Sequence, residues 1–508
     1  MIRYYMVYYV QTKLNGVSDI PALWGAHGMY KTRKERQLTF DGFNQSCGMR
    51  LDPKDEWVVL ADRIDWDAVE AEYRTLFKSG RGRPAVSARQ ALGALIIQRR
   101  KQLSDRKLVK EIAENVAYQY FIGLQSFRPE CPFRHGVLPE LRKRLGKDFL
   151  VKVNESFLKA AKPTPAHAKD RAESPSANGN MGTMILDATC SPSNIRFPQD
   201  FSLLNEAREK LDAMIDLMHD PHSGRRRPRT YRRVLRKRYL ALAKSKRRTA
   251  RRTRSVVRVM LCAVKRNLGF VDALLEAGGS LDRRQTELLG TIRVLYAQQK
   301  EMFDERKHRV ADRIVSVTQP FVRPVVRGKA KAPVEFGAKY DVSVDENGHA
   351  RLERVQFDPY NECTVLKGVV ERYKERTGHY PRRVLVDQVY RTKENRAFCE
   401  ANGIEMSGRK PGRAPADGKE RRKAERASRK NDTDRIEVER FFSVGKRCCG
   451  AGLIMTKLSE TTLGAIALSV LVANLFGVQL PPLFLLYFVD APGAATACHL
   501  LEIEDDAA

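Results

Sequence analysis

The sequence predicts an α/β fold. A sheet-containing core spans residues 183–480, a helical basic insertion interrupts it at about 200–320, and an all-helical domain precedes it at 51–160. Three observations carry this. Residues 51–150 place apolar side chains at helical spacing behind helix-capping residues. Short apolar runs of strand type occur at 184–187, 334–357, 382–390 and 404–408. Residues 200–320 show helical patterning and no strand pattern.

Residues 1–50 are mixed and glycine-containing, a loosely structured leader. Their start, MIRYYMVYYVQTK, has no basic lead-in and no small-residue cleavage site, so it does not read as a signal peptide. In IDWDAVEAEYRTLF, Ile64, Trp66, Val69, Tyr73 and Phe77 recur near the helical period. Ser87 with Gln90 opens SARQALGALIIQRRKQL as a capping box, and Ser104 caps DRKLVKEIAENVAYQYFIGL. Short basic helices joined by short turns suit DNA binding. Residues 161–182 are a linker by composition.

TMILDATCSPS then reads as a buried strand ending at Asp187. VEFGAKYDVSV (334–344) and HARLERVQF (349–357) flank DENG, a hairpin turn. A helix over 362–378, a strand over 382–390 carrying Asp387, a helix over 393–403 and a short strand over 404–408 follow. Residues 409–432 are a basic loop expected to order only on a partner. RIEVERFFSVGKRCCG (435–450) is helical, a buried apolar helix comes next, and 481–508 is a tail.

The chain of 508 residues carries 92 Lys and Arg against 61 Asp and Glu, a formal net charge of +31. That excess exceeds what solubility needs and implies a polyanion, with nucleic acid ahead of an anionic membrane surface. No acid occurs from Arg225 to Arg254. Arg225, Arg226, Arg227, Arg232, Arg233 and Arg236 of this block are candidate phosphate contacts. The nine cysteines contain no C-x-x-C pair, which argues for a reducing cytosol and against a disulfide framework or a zinc site. The most apolar stretch, 463–489, is broken by Asn474, Gln479, Pro481 and Pro482. Its pieces fall short of the roughly 20 residues a bilayer needs, so a buried helix and no membrane are expected.

Asp187 and Asp387 end separate strands, and such ends converge on one sheet edge in a strand–helix–strand arrangement. Glu439 lies between Arg435 and Lys446 at offsets of four and seven residues, which puts all three within roughly 40° on one helical stripe. Glu437 lies about 200° away around the same helix, so only one of these acids can face a shared site. Three clustered carboxylates repel, and a pair of Mg²⁺ or Mn²⁺ ions offsets that cost. Two such ions support phosphoryl transfer without a nucleophilic side chain. The sequence offers no convincing Ser/His/Asp or Cys/His set.

With these residues the chain resembles the DDE transposases of bacterial insertion sequences, of the insertion-sequence-four/five-like group. Their third motif is commonly Y-x₂-R-x₃-E-x₆-K, which Arg435, Glu439 and Lys446 match, with Asp432 at the tyrosine position. LDATC resembles the first motif and gives Asp187; VDQVYRTKENR resembles the second and gives Asp387 with Tyr390, Asn395 and Arg396. VEFGAK and the stretch GLIMTKLSETTLGAIALSVLVANL are similar too, and residues 82–124 resemble the group's helical N-terminal domain. The likeness covers roughly residues 30–480.

It implies an RNase H-like mixed-sheet core with Asp187, Asp387 and Glu439 as catalytic carboxylates holding two Mg²⁺ or Mn²⁺ ions. Arg435, Lys446, Tyr390 and Arg396 would contact DNA. The implied activity is binding of terminal inverted repeats, cleavage, and joining of 3′ ends to target DNA. A homodimer or higher oligomer in the bacterial cytoplasm would carry it out. Two other readings stay open: an inactive or regulatory DNA-binding derivative, and a structure-specific nuclease or resolvase.

Overall fold

The computed structural model describes residues 51–77, 84–160, 178–220, 222, 226–326, 334–408 and 418–477. The expected leader, Arg225 and the tail lie outside the described residues, as do most of the linker and 409–417 of the basic loop.

The first helices are α1 (Glu56–Arg63), α2 (Trp66–Thr75), α3 (Ala88–Lys101), α4 (Asp105–Glu114), α5 (Val116–Phe121), α6 (Leu138–Arg144) and α7 (Lys147–Ala160). Asp55, Asp65, Ser87 and Ser104 each accept a backbone N–H of the first turn that follows them, so the first four helices start where the sequence supplies an acceptor. The stretch expected as one helix after Ser104 is two. Asn115 takes an extended backbone, ends α4 and caps α5 through the Tyr118 N–H.

Strand β1 (Thr183–Pro192) precedes four helices, α8 (Asp200–Met218), α9 (Arg232–Ala243), α10 (Ala250–Glu276) and α11 (Arg283–Asp304). These are the expected basic insertion, and they bury Leu204, Leu211, Ile215, Met260, Val264, Ile292 and Leu295 among themselves. Then come β2 (Arg323–Val326), β3 (Val334–Asp345), β4 (Ala350–Gln356), α12 (Leu366–Thr377), β5 (Arg383–Val386), α13 (Lys393–Ala401) and β6 (Glu405–Met406). The chain closes with α14 (Gly418–Cys448) and α15 (Ser459–Gly477). The basic stretch expected as a loop up to residue 432 is helical from Gly418, the start of a single 31-residue helix.

The strands form one mixed sheet in the order β2-β3-β1-β5-β6, with β4 also paired to β3. β1 runs antiparallel to β3 and parallel to β5. Strand alternation splits the core in two. Met184, Leu186, Val384 and Val386 pack with Val369 and Val370 of α12 on one face. Ile185, Val342 and Leu385 pack with Val438 of α14 and Ile466 of α15 on the other. Gly337 lets β3 approach β1, since a Cβ there would fall 2.0 Å from the Ser191 carbonyl oxygen.

α15 is the one described helix long and apolar enough to cross a membrane, and 83% of that window is buried inside the protein. Asn474, read as a break in the apolar run, is buried and fully engaged. Its side chain pairs with Asn154 at 2.7 Å and with both backbone groups of Ala350, at 3.0 and 2.7 Å.

Candidate active site

The register of the central strands sets the site. The parallel ladder between β1 and β5 ends at Leu186 opposite Val386, so Asp187 and Asp387 are the next residues on neighbouring strands. Asp187 does not end its strand as expected, because antiparallel pairing with β3 carries β1 on to Pro192. It sits mid-strand where the β5 partner stops. Asp387 comes directly after β5, because the strand expected over 382–390 stops at Val386 and gives way to a turn. Its carboxylate accepts the Gln388 N–H at 2.7 Å and caps a 3₁₀ turn over Gln388–Tyr390.

Helix α14 brings the third acid. Val438 is fully buried against the sheet, and Phe441 and Val444 pack on the N-terminal helices. Residues 435 and 439 are thereby turned toward β1. The Arg435 guanidinium reaches Asp187 at 3.5 Å and Glu439 at 3.0 Å, so one cation spans both carboxylates. Glu437 instead pairs with Arg440 at 3.4 Å. Arg383 ties the same helix to the sheet edge through Asn431 and Asp434, at 3.2 and 3.1 Å.

Burial pushes the Asp187 carboxyl up to about 6; the Ala188 N–H and Arg435 pull it down, and Asp387 and Glu362 push it up further. The field of Asp387 is therefore felt at Asp187. Among the described residues no three His, Cys, Asp or Glu side chains lie close enough to hold a metal ion together. The donor chemistry still fits a hard divalent cation: only carboxylates are offered, and a guanidinium occupies the position of positive charge between two of them.

The other sequence candidates divide. Tyr390, expected on DNA, is fully buried and donates to Asp341 at 2.9 Å, so it supports the Asp387 turn from within. Its N–H also bonds the Asp387 carbonyl at 3.1 Å. Asn395 is buried and holds the Cys363 and Tyr390 carbonyls, while Arg396 is half-buried on α13. Lys446 is half-buried two turns beyond Glu439 on α14. In the basic block, Arg227 and Arg232 both pair with Asp216, the latter at 2.9 Å. Arg226, Arg233 and Arg236 are exposed.

The sequence reading missed Asp341, Tyr360 and Glu362. Asp341 on β3 is fully buried and accepts the hydroxyls of Tyr360 and Tyr390. Burial raises it to about 6 against the pull of those two hydroxyls. Glu362 pairs with Lys339 at 2.7 Å and acts electrostatically on both Asp187 and Asp341. A signal existed: Glu335, Lys339, Asp341 and Ser343 form the polar half of the β3 alternation.

A transposase domain family (DUF772) matches residues 45–144, and a transposase DDE domain family matches residues 384–476. The second match spans β5, α13, β6, α14 and α15, the elements that carry Asp387, Arg435 and Glu439. The matches indicate a DDE-type insertion-sequence transposase. The matched DDE domain indicates a DNA-cleaving and strand-transferring enzyme; that domain family generally uses divalent metal ions and acts on DNA. A protein described as uncharacterized, ORF8 in the nfe locus of Rhizobium meliloti, is 26% identical over 171 residues, 34% of this chain and 78% of that one. No solved structure matches.

Proposed function

We propose that this transposase binds the terminal inverted repeats of an insertion sequence, cuts there and joins the 3′ ends to target DNA. The reading places Asp187, Asp387 and Glu439 as its catalytic carboxylates in an RNase H-like core, working in the bacterial cytoplasm as at least a dimer. The observation that carries it is the register: Asp187 and Asp387 follow the last rung of the β1–β5 ladder, and Arg435 links Asp187 to Glu439. The three acids would hold two Mg²⁺ or Mn²⁺ ions, which would activate the attacking water or 3′-hydroxyl and stabilise the leaving oxygen.

The chain's own residues prepare that site. Arg435 offsets the repulsion of two acids while they wait for cations, and it lies beside the place where a phosphate would sit. Tyr390 and Asp341 fix the turn that presents Asp387. Val438 fixes which face of α14 meets the sheet.

Asp187→Asn, Asp387→Asn and Glu439→Gln should each abolish Mn²⁺-dependent cutting and joining of a duplex carrying the element's ends, while gel-shift binding persists. Glu437→Gln should keep activity. Loss of activity in Glu437→Gln but not in Glu439→Gln would reverse the assignment on α14. Cutting without joining by the unaltered protein would make it a nuclease.

A further inference from the structure

We propose that a basic stripe along α10 is a docking track for the sugar-phosphate backbone of double-stranded DNA, separate from the arginines of residues 225–236. The inference rests on the transposase reading and adds a surface to it. Arg251, Arg254, Arg258 and Lys265 are all exposed. With Cys262 between them, they fall within roughly 80° on one face of the helix and extend over about 21 Å. They line a groove of about 680 Å³ closed on its far side by Lys300 and Phe303 of α11.

Several other cations of the bundle are met by acids, and what marks this face is the alignment of its cations beside α11. Arg227 and Arg232 pair with Asp216, Arg283 with Glu287, and Arg293 with Asp272. Among the described residues Arg251, Arg258 and Lys265 make no ion pair, and the one acid in the groove, Asp304, is held by Lys300. Aligned cations without counter-charges repel one another and are stabilised by a polyanion. Arg254 lies over the Phe303 ring at 4.0 Å, which orients its guanidinium and covers that ring. A covered ring cannot stack a base, so the groove suits a duplex backbone better than a single strand. Backbone contact of this kind positions DNA without reading its sequence.

The test uses the full chain with Arg251, Arg254, Arg258 and Lys265 all changed to Ser. A second variant replaces four exposed cations elsewhere, Arg283, Arg284, Lys307 and Arg309, with Ser. Thermal melts check that both fold. Fluorescence anisotropy with two unrelated 30-base-pair duplexes, read across salt concentrations, gives the slope of log affinity against log salt. The α10 variant should flatten that slope by about 3 to 4 on both duplexes, at about 0.9 per lost phosphate contact, and the second variant by less than about 1. Duplex should also slow maleimide labelling of Cys262 in the unaltered protein. An unchanged slope with unprotected Cys262 would overturn the track. So would a stripe-dependent preference for the single-stranded 30-mer. Failure of the unaltered protein to bind any duplex is a different result, and it would remove the transposase reading as well.

Discussion

The helices before β1 and the helices after it close their cores by different means. Those after it, α8–α11, bury residues drawn only from 201–317. Those before it do not suffice alone: the cluster around Trp57, Leu92, Ile96 and Phe121 also contains Leu468, Leu471, Val472, Leu475 and Phe476 of α15. Trp57 meets Phe476 edge-on at 5.2 Å, and Arg99 donates to the Ser469 hydroxyl and the Ala465 carbonyl at 2.8 and 3.0 Å. The lesson is about position. The N-terminal helices also pack on Phe441 and Val444, so the region that resembles a DNA-binding domain helps set the height of Glu439 over the sheet. The insertion is attached to β1 but holds itself together.

The largest effect should come from removing α15. A chain ending at Leu458 lacks the five α15 side chains of the shared cluster, each contributing about 1.5–3 kcal/mol, and exposes the N-terminal core they cover. That sum is comparable with a whole domain's stability of about 5–15 kcal/mol. The expected outcome is loss of the cooperative thermal transition in near-ultraviolet circular dichroism. Replacing residues 200–313 with a short Gly/Ser linker should leave that transition in place. Cooperative melting of the truncated chain near the original temperature would break the comparison.

Next comes the buried ion pair inside the insertion. Arg208 is almost fully buried and donates to Asp212 at 2.6 Å, and Asn267 donates to the same carboxylate at 2.8 Å. Burial already raises Asp212. Arg208→Met leaves that charge without its partner, at a cost of about 3–5 kcal/mol. Hydrogen exchange should quicken in α8–α11 and stay slow in β1, β3 and β5. Asn474→Leu should do the reverse at about 1–3 kcal/mol, because it leaves the Ala350 N–H unpaired where α7, α15 and β4 meet.

Periodicity made the insertion legible, along with most helix starts, the hairpin and the third motif. Each is a local pattern. What stayed hidden depended on long-range pairing. The sequence shows that Asp187 follows three apolar residues, yet only the β3 partner decides that the strand continues past it. The β3 alternation separates its faces, but whether the polar one is covered depends on Tyr360 and Tyr390, 19 and 49 residues away from Asp341. The same holds for Arg227 and Arg232, whose charge is met by Asp216 on the preceding helix.

The smallest effect sharpens the comparison through acid. Arg351 of β4 joins Asp345 of β3, at 2.8 Å, to Glu155 of α7, at 3.1 Å, and so ties the N-terminal helices to the sheet. Burial alone would raise Asp345, but the His349 hydrogen bond and the Arg351 charge outweigh it and hold the carboxyl at about 2. The folded value lies below the ordinary 3.8, so the native state binds fewer protons than the unfolded one between those limits. The stabilisation is therefore complete above about pH 4 and is lost as pH falls toward 2. A shift of that size corresponds to about 2 kcal/mol. Asp345→Asn should cost about that much at pH 7 and progressively less below pH 4. Two of the three tryptophans, Trp57 and Trp66, lie in the N-terminal core, so in a Trp24→Phe background indole fluorescence reports that joint, while far-ultraviolet circular dichroism also registers the four insertion helices. In that background the fluorescence midpoint should precede the loss of helical signal on acidification. In Asp345→Asn the fluorescence midpoint should move to higher pH and the gap should widen, with the insertion's helical signal unchanged. Coincident acid transitions in both signals, unaffected by the substitution, would mean that the two helical regions stand or fall together.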